Sequence, residues 1–223
     1  MEGYATEEQQ VEALKSWWKS NGNAVIFGTV LGLAGLVGFR YYNASQLTSQ
    51  EELSAAYDTV VTELSENGLA AKATTQTFID ANSGNAYATL TALQLAAEAV
   101  KKQDFAEAET QLSWVATNSN QASILPIAKL RLARVQAQLA NFDDALATLD
   151  KITLDTFASK KAEVQGDIYV QQGDLNAARS AYETALAGIG ANTQLLQLKL
   201  DDLAVVDVAD DLDAAIAGEL NEQ

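Results

Sequence analysis

The side chains that could do chemistry in this sequence are carboxylates. The 223 residues include 30 Asp and Glu against 14 Lys and Arg, with no His and no Cys. Zinc modules, Cys proteases and Ser-His-Asp triads are therefore excluded. A net charge of −16 also disfavours nucleic acid as a partner, because the average surface repels phosphate.

The densest carboxylates lie near the C-terminus, at Asp207, Asp210, Asp211 and Asp213. They suggest calcium, but the cluster lacks the glycine that an EF-hand loop needs at its sharp turn. We interpret it as a solvated acidic tail. Carboxylates on regular helices also usually face solvent, and no neighbouring group is in place to tune a pair of them. We therefore expect no enzymatic activity, no metal and no cofactor, which leaves binding as the function.

One segment predicts a membrane anchor. Ala24 to Phe39 is a run of 16 uncharged residues, preceded by Trp17-Trp18 and followed by Tyr41-Tyr42. Aromatic residues on both sides of an apolar run are typical of a helix that crosses both membrane interfaces. We predict a spanning helix over residues 21–42. A buried core helix or a cleaved signal peptide are the alternatives, although the acidic residues before the run disfavour the latter.

The charges beside this span predict its orientation. Lys15 and Lys19 precede it, whereas Arg40 is the only basic residue close behind it. By the positive-inside rule the N-terminus is expected in the cytoplasm, and in a bacterial inner membrane the remainder lies in the periplasm. Gly28, Gly32 and Gly35 could form a packing face for another membrane protein, or could simply reflect how common glycine is in membrane helices.

The rest of the chain predicts an all-α fold of repeated helical hairpins. Apolar residues recur every three or four positions, and residues 102–108, 139–145 and 172–178 align at offsets of 37 and 33 residues. These offsets bracket the tetratricopeptide period. Each unit has a capping candidate at the turn, with a small residue eight positions earlier that lets two helices cross closely. The capping residues are Asp104, Asn141 and Asp174, and the small ones are Ala96, Ala133 and Gly166.

Four regions follow from these patterns. They are a short cytosolic tail (1–20), a transmembrane helix (21–42), a periplasmic tetratricopeptide-like domain (43–206) and an acidic C-terminal extension (207–223). Within the domain, residues 193–205 are expected to form a helix that caps the open end of the stack.

Stacked helical hairpins form a curved surface lined by the first helix of each repeat, which suits an extended or helical peptide. The repeat register predicts nine residues on that wall, although several could instead belong to the hairpin core. They are Leu93, Ala97 and Val100 in repeat one, Leu130, Arg134 and Ala137 in repeat two, and Glu163, Asp167 and Val170 in repeat three.

The whole layout resembles the YfgM family, the ancillary subunit of the bacterial SecYEG translocon. The resemblance runs from the N-terminus to about Leu203. It rests on Val11-Glu12-Ala13, on the span ending Gly38-Phe39-Arg40-Tyr41-Tyr42-Asn43, and on residues 130–136 and 173–183. The resemblance implies a single-pass inner-membrane adaptor that works with the translocon and the periplasmic chaperone PpiD. It would pass newly translocated, unfolded polypeptides toward the periplasmic chaperone network.

Two other functions remain compatible with the sequence, because a fold does not fix a function. One is a scaffold of another envelope assembly. The other is a regulator that acts through its cytosolic N-terminal tail.

Overall fold

The computed structural model describes residues 7–203, and its regular elements are helices. Within that range there is no strand, which confirms the predicted all-α fold. The chain divides into two compact units, Met1–Ala56 and Tyr57–Gln223. The acidic cluster at 207–213 lies outside the described residues.

In the N-terminal unit, the described residues 7–56 belong to one long helix. Helix α1 runs through 61 residues, Glu7–Asn67, and every residue from 23 to 52 is exposed. Among the described residues, α1 is the one helix long and apolar enough to cross a membrane. The predicted span at 21–42 lies within it, although its two ends stay a prediction. The apolar pattern of residues 49–65 lies in the same continuous helix.

The C-terminal unit begins with the last turns of α1 and continues as helical hairpins. Residues Gly68–Ala71 and Asp155–Phe157 form short 3-10 turns. The remaining helices are α2 (Lys72–Ala81), α3 (Ala86–Lys101), α4 (Phe105–Asn118), α5 (Leu125–Gln138), α6 (Phe142–Asp150), α7 (Ala158–Gln172) and α8 (Leu175–Ala187). Consecutive helices pack on each other, and α5 also contacts α7.

The predicted small residues lie where paired helices cross. Ala96 and Ala133 are buried in the cores of repeats one and two. Gly166 faces the ring of Tyr182 so closely that a β-carbon there would overlap it. These contacts confirm that small side chains set the approach of the two helices in each hairpin.

The turns between paired helices follow the sequence pattern in two repeats of three. Asp104 accepts a hydrogen bond from the Glu107 amide at 3.1 Å, and Asp174 accepts one from the Ala177 amide at 3.0 Å. Asn141 makes no side-chain capping bond, so that capping prediction is wrong. Its backbone carbonyl accepts a hydrogen bond from the Ala145 amide, as the carbonyls of Asp104 and Asp174 do from Ala108 and Ala178.

A further helical segment follows α8. Residues 193–203 are helical, and Leu196 and Leu203 are buried in one cluster with Ala162 and Tyr182. This segment covers the last repeat, as the sequence predicted. The predicted end at Val205 lies outside the described residues.

Candidate functional site

The main candidate site is a groove between α3 and α5, which we call the α3–α5 groove. It has a volume of about 340 Å³. Small and branched apolar side chains form its floor and sides, and two arginines lie on its α5 side. Its lining residues are Leu93, Ala96, Ala97, Val100, Leu112, Arg131, Arg134 and Val135.

Local sequence explains why this groove is open. Alanines at 96 and 97 leave the α3 wall without bulk, while Leu112 of α4 is buried below it. Val100 lines the same groove and is 41% exposed. The result is an apolar surface that no other described residue covers.

The groove is electrostatically asymmetric. Arg131 and Arg134 are both exposed, and neither guanidinium has an ion pair or hydrogen-bond partner anywhere in residues 7–203. Arginine presents a planar fork of donors that suits carboxylates. The arrangement can therefore hold an apolar segment and accept negative charge at the same time.

Four of the nine predicted wall residues lie together in this groove. They are Leu93, Ala97, Val100 and Arg134. The predicted wall did not include Arg131 and Val135, which line the groove from the same face of α5 as Arg134. A pattern of i, i+3 and i+4 positions counted from Arg131 would have found both.

Two predicted wall residues require correction. Leu130 and Ala137 are 7% and 3% exposed and belong to a core cluster with Leu149, Val164 and Ile168. At about 100° of rotation per residue, Leu130 and Ala137 lie about 40–60° from Arg134 around α5, on the side away from Arg131 and Val135. They pack between repeats two and three and present little surface to a partner.

In repeat three, two of the three predicted wall residues are bonded to other side chains of the same protein. Glu163 is 4% exposed and bonded to Lys160 at 2.7 Å, and Lys199 of the 193–203 segment reaches Glu163 at 3.4 Å and Asp167 at 2.5 Å. The Tyr182 hydroxyl also donates to Asp167 at 2.8 Å. Val170 lies beyond this cluster and is 39% exposed. The ion pairs of Glu163 and Asp167 with Lys199 therefore hold residues 193–203 against α7.

The charges in this cluster shift two pKa values. Burial raises the pKa of Glu163, but the hydrogen bond from Lys160 and the nearby Lys199 outweigh it, so its pKa lies below the ordinary value. Burial, reinforced by the Asp167 hydrogen bond, raises the pKa of Tyr182. Both groups thus keep their ordinary charge at neutral pH, which favours a structural ion-pair network.

Other features of the described residues are weaker candidates for a functional site than the α3–α5 groove. A depression of about 760 Å³ runs along residues 192–201, but all of its lining comes from that single segment, so it has no opposing wall. Across residues 7–203 no group of three or more acidic side chains is placed to hold a metal ion. The span glycines Gly28, Gly32 and Gly35 have nothing within 4 Å of a β-carbon, so their role in packing stays a prediction.

The comparisons with known proteins agree with this architecture. A family model described as a tetratricopeptide repeat-like domain matches residues 15–205. A Haemophilus influenzae protein named ancillary SecYEG translocon subunit is 38% identical over 198 residues, covering 88% of this chain and 97% of that protein. This chain belongs to the family of ancillary SecYEG translocon subunits.

Two further members extend the similarity. The Escherichia coli ancillary SecYEG translocon subunit is 35% identical over 207 residues, which is 92% of this chain and all of that protein. The Neisseria gonorrhoeae protein of the same name is 29% identical over 212 residues, which is 91% of this chain and all of that protein. No solved structure matches the chain.

Proposed function

We propose that this chain is a membrane-anchored, non-enzymatic adaptor of the SecYEG translocon. The observation that carries the proposal is the similarity to translocon subunits over nearly the whole chain, through both the apolar helix and the repeats. A span alone or a repeat domain alone would be compatible with many functions. Their occurrence together, in the same order and over the same length, favours translocon association.

The proposal has a definite topology. Residues 1–20 lie in the cytoplasm, 21–42 cross the inner membrane, and the domain at 43–206 projects into the periplasm. The excess of basic residues before the span supports this orientation. Such an anchor would hold the repeat domain beside the exit of the translocon.

The α3–α5 groove is the surface we assign to protein binding. Its apolar floor suits exposed hydrophobic segments of unfolded chains, and its two free guanidinium groups suit acidic side chains. Unfolded secretory polypeptides and a PpiD-like periplasmic chaperone are the proposed occupants. Transfer of newly translocated polypeptides to periplasmic chaperones would then follow from bringing the two together.

Affinity purification from solubilised membranes tests this function. Full-length tagged protein is purified in mild detergent, and SecY and PpiD are quantified in the eluate. Wild type is compared with Val100→Asp and with Ala147→Asp, an exposed alanine of α6 outside the groove. We expect SecY and PpiD with wild type and Ala147→Asp, and less PpiD with Val100→Asp.

Two results would contradict the proposal. Recovery of only another envelope assembly, without SecY, would favour the scaffold function. Loss of all partners upon deletion of residues 2–14, with no effect of Val100→Asp, would favour a regulator that acts through its cytosolic tail.

A further inference from the structure

Helix α1 carries a regular stripe that the proposed function does not use. Starting at Val11, alternating steps of three and four residues lead through positions 14, 18, 21, 25, 28, 32, 35 and 39 to Tyr42. We call these ten positions the α1 seam. None of them holds a charged residue, although four charged residues lie in the same range. Such a seven-residue repeat is the pattern by which two helices pack side by side in a coiled coil.

The first residues of the α1 seam need a cover that lipid does not supply. Val11 and Leu14 are 50% and 66% exposed. They lie ten or more residues before the apolar run that begins at Ala24, which is at least about 15 Å along a helix. Apolar side chains at that distance from the hydrocarbon face water, which favours their burial against another protein.

The α1 seam continues into the predicted span as glycine. Gly28, Gly32 and Gly35 occupy three consecutive seam positions, and a β-carbon at any of them would meet nothing within 4 Å. Glycine lets two backbones approach closely, and such close contacts stabilise helix pairs in lipid. A glycine stripe alone does not identify a packing face, but here the apolar residues of the tail fall in the same register. Two segments in different solvents thus present one continuous face.

We propose that two copies of this chain pair in parallel along the α1 seam. A parallel pair places each seam residue opposite its own counterpart, so a seam without charge avoids like-charge repulsion. Asn21 favours a second copy as the occupant. Its side-chain amide donates to the Trp17 carbonyl at 3.1 Å, and its Oδ1 can accept from the remaining N–H of an Asn21 at the same level of the pair. One Asn in an otherwise apolar seam fixes the register of the two helices.

The surface along the α1 seam is large enough for such a pair. Trp18, Phe39 and Tyr42 are 50%, 64% and 61% exposed. An aromatic side chain buries roughly 150–250 Å², so the exposed parts of six of them in a pair offer roughly 450–950 Å². The exposed valines and leucine of the seam bring the total to about the 1,000 Å² that a specific interface needs.

Cysteine cross-linking tests the pairing directly, because the chain has no cysteine of its own. Full-length protein carrying Val25→Cys is produced with two different affinity tags in one cell, and the isolated membranes are oxidised with copper phenanthroline. The matched control is Val30→Cys, an exposed valine that is rotated by about 140° from Val25 around α1. Leu14→Cys and Ser16→Cys form a second matched pair in the tail. Disulfide-linked dimers that carry both tags are quantified on non-reducing gels.

We expect at least about fivefold more two-tag dimer from Val25→Cys and Leu14→Cys than from their controls, because pairing raises the local concentration of seam thiols. Gly32→Ile should lower both yields at least about threefold by separating the two backbones, while the melting temperature of the repeat domain stays at that of wild type. Equal yields from seam and control positions, yields unaffected by Gly32→Ile, or seam adducts only to a different protein would each overturn the proposal. None of these outcomes bears on translocon association, which the affinity purification measures separately.

Discussion

Gly166 of α7 lies against the ring of Tyr182 of α8, with no room for a β-carbon between them. Gly166→Ala should therefore destabilise the domain by about 1–3 kcal/mol through overpacking, despite the better helix propensity of alanine. Thermal unfolding followed by circular dichroism measures the change. Gly84→Ala is the matched control, because a β-carbon at Gly84 meets nothing within 4 Å. Equal stability of the two variants would contradict the close approach.

The three interhelical turns share one left-handed backbone position that only repeat three fills with glycine. Gln103 and Ala140 have φ of 59° and 60°, and Gly173 has φ of 81°. A residue with a β-carbon is destabilised by about 1–2 kcal/mol in this left-handed conformation. Replacing it with glycine recovers only part of that free energy, because the unfolded chain gains conformational entropy when glycine is present. Ala140→Gly should thus raise the free energy of unfolding by up to about 1 kcal/mol, and Gly173→Ala should lower it. Denaturant titration measures the free energy of unfolding of both variants. Changes of the same sign would contradict a shared left-handed position at Ala140 and Gly173.

The Glu163 cluster predicts an acid-sensitive contribution to stability. The pKa of Glu163 is lowered in the folded protein, so its ion pairs stabilise the domain above its ordinary ionisation range, about 4.3. This contribution is lost as the pH falls through the lower, folded pKa. Glu163→Gln should lower the melting temperature at pH 7, and the gap to wild type should narrow toward pH 3. If the difference in melting temperature between Glu163→Gln and wild type did not change with pH, the lowered pKa of Glu163 would be contradicted. Glu183→Gln, on the exposed side of α8, serves as the control.

Leu130 and Val100 were both predicted on the binding wall, but the structure separates their roles. Leu130→Asp would place a carboxylate in the core between repeats two and three and should destabilise the domain by at least about 3 kcal/mol. Val100→Asp changes a 41% exposed groove residue and should leave the free energy of unfolding within about 1 kcal/mol of wild type. Denaturant titration distinguishes them. Similar losses for both would mean that Val100 is part of the core.

Much of the fold could be predicted because local signals agree. The apolar run after Trp18 specifies a long exposed helix, and Asp104 and Asp174 specify helix starts through bonds to amides three residues ahead. The small residue at Gly166 predicted a close crossing of the two helices in its hairpin, and the approach of the Tyr182 ring confirms it.

The wall was harder to predict, because it depends on contacts between repeats. Sequence spacing places Leu130 and Arg134 on one face of α5, yet Leu130 is drawn into the core by Leu149 and Ile168. Glu163 is charged and so was expected at the surface, but Lys199, 36 residues later, covers it. Neither partner could be identified from local spacing, which explains why only four of the nine predicted residues lie together in the groove.

The central claim is that the α3–α5 groove binds protein partners of a translocon-associated adaptor. The most direct test is site-specific photocrosslinking in native membranes, with the probe at Val100 and, in parallel, at Ala147. The account predicts that Val100 yields adducts to a periplasmic chaperone or nascent secretory chains that Ala147 does not yield. The same adducts from both positions, or reproducible adducts only to unrelated envelope proteins, would contradict it.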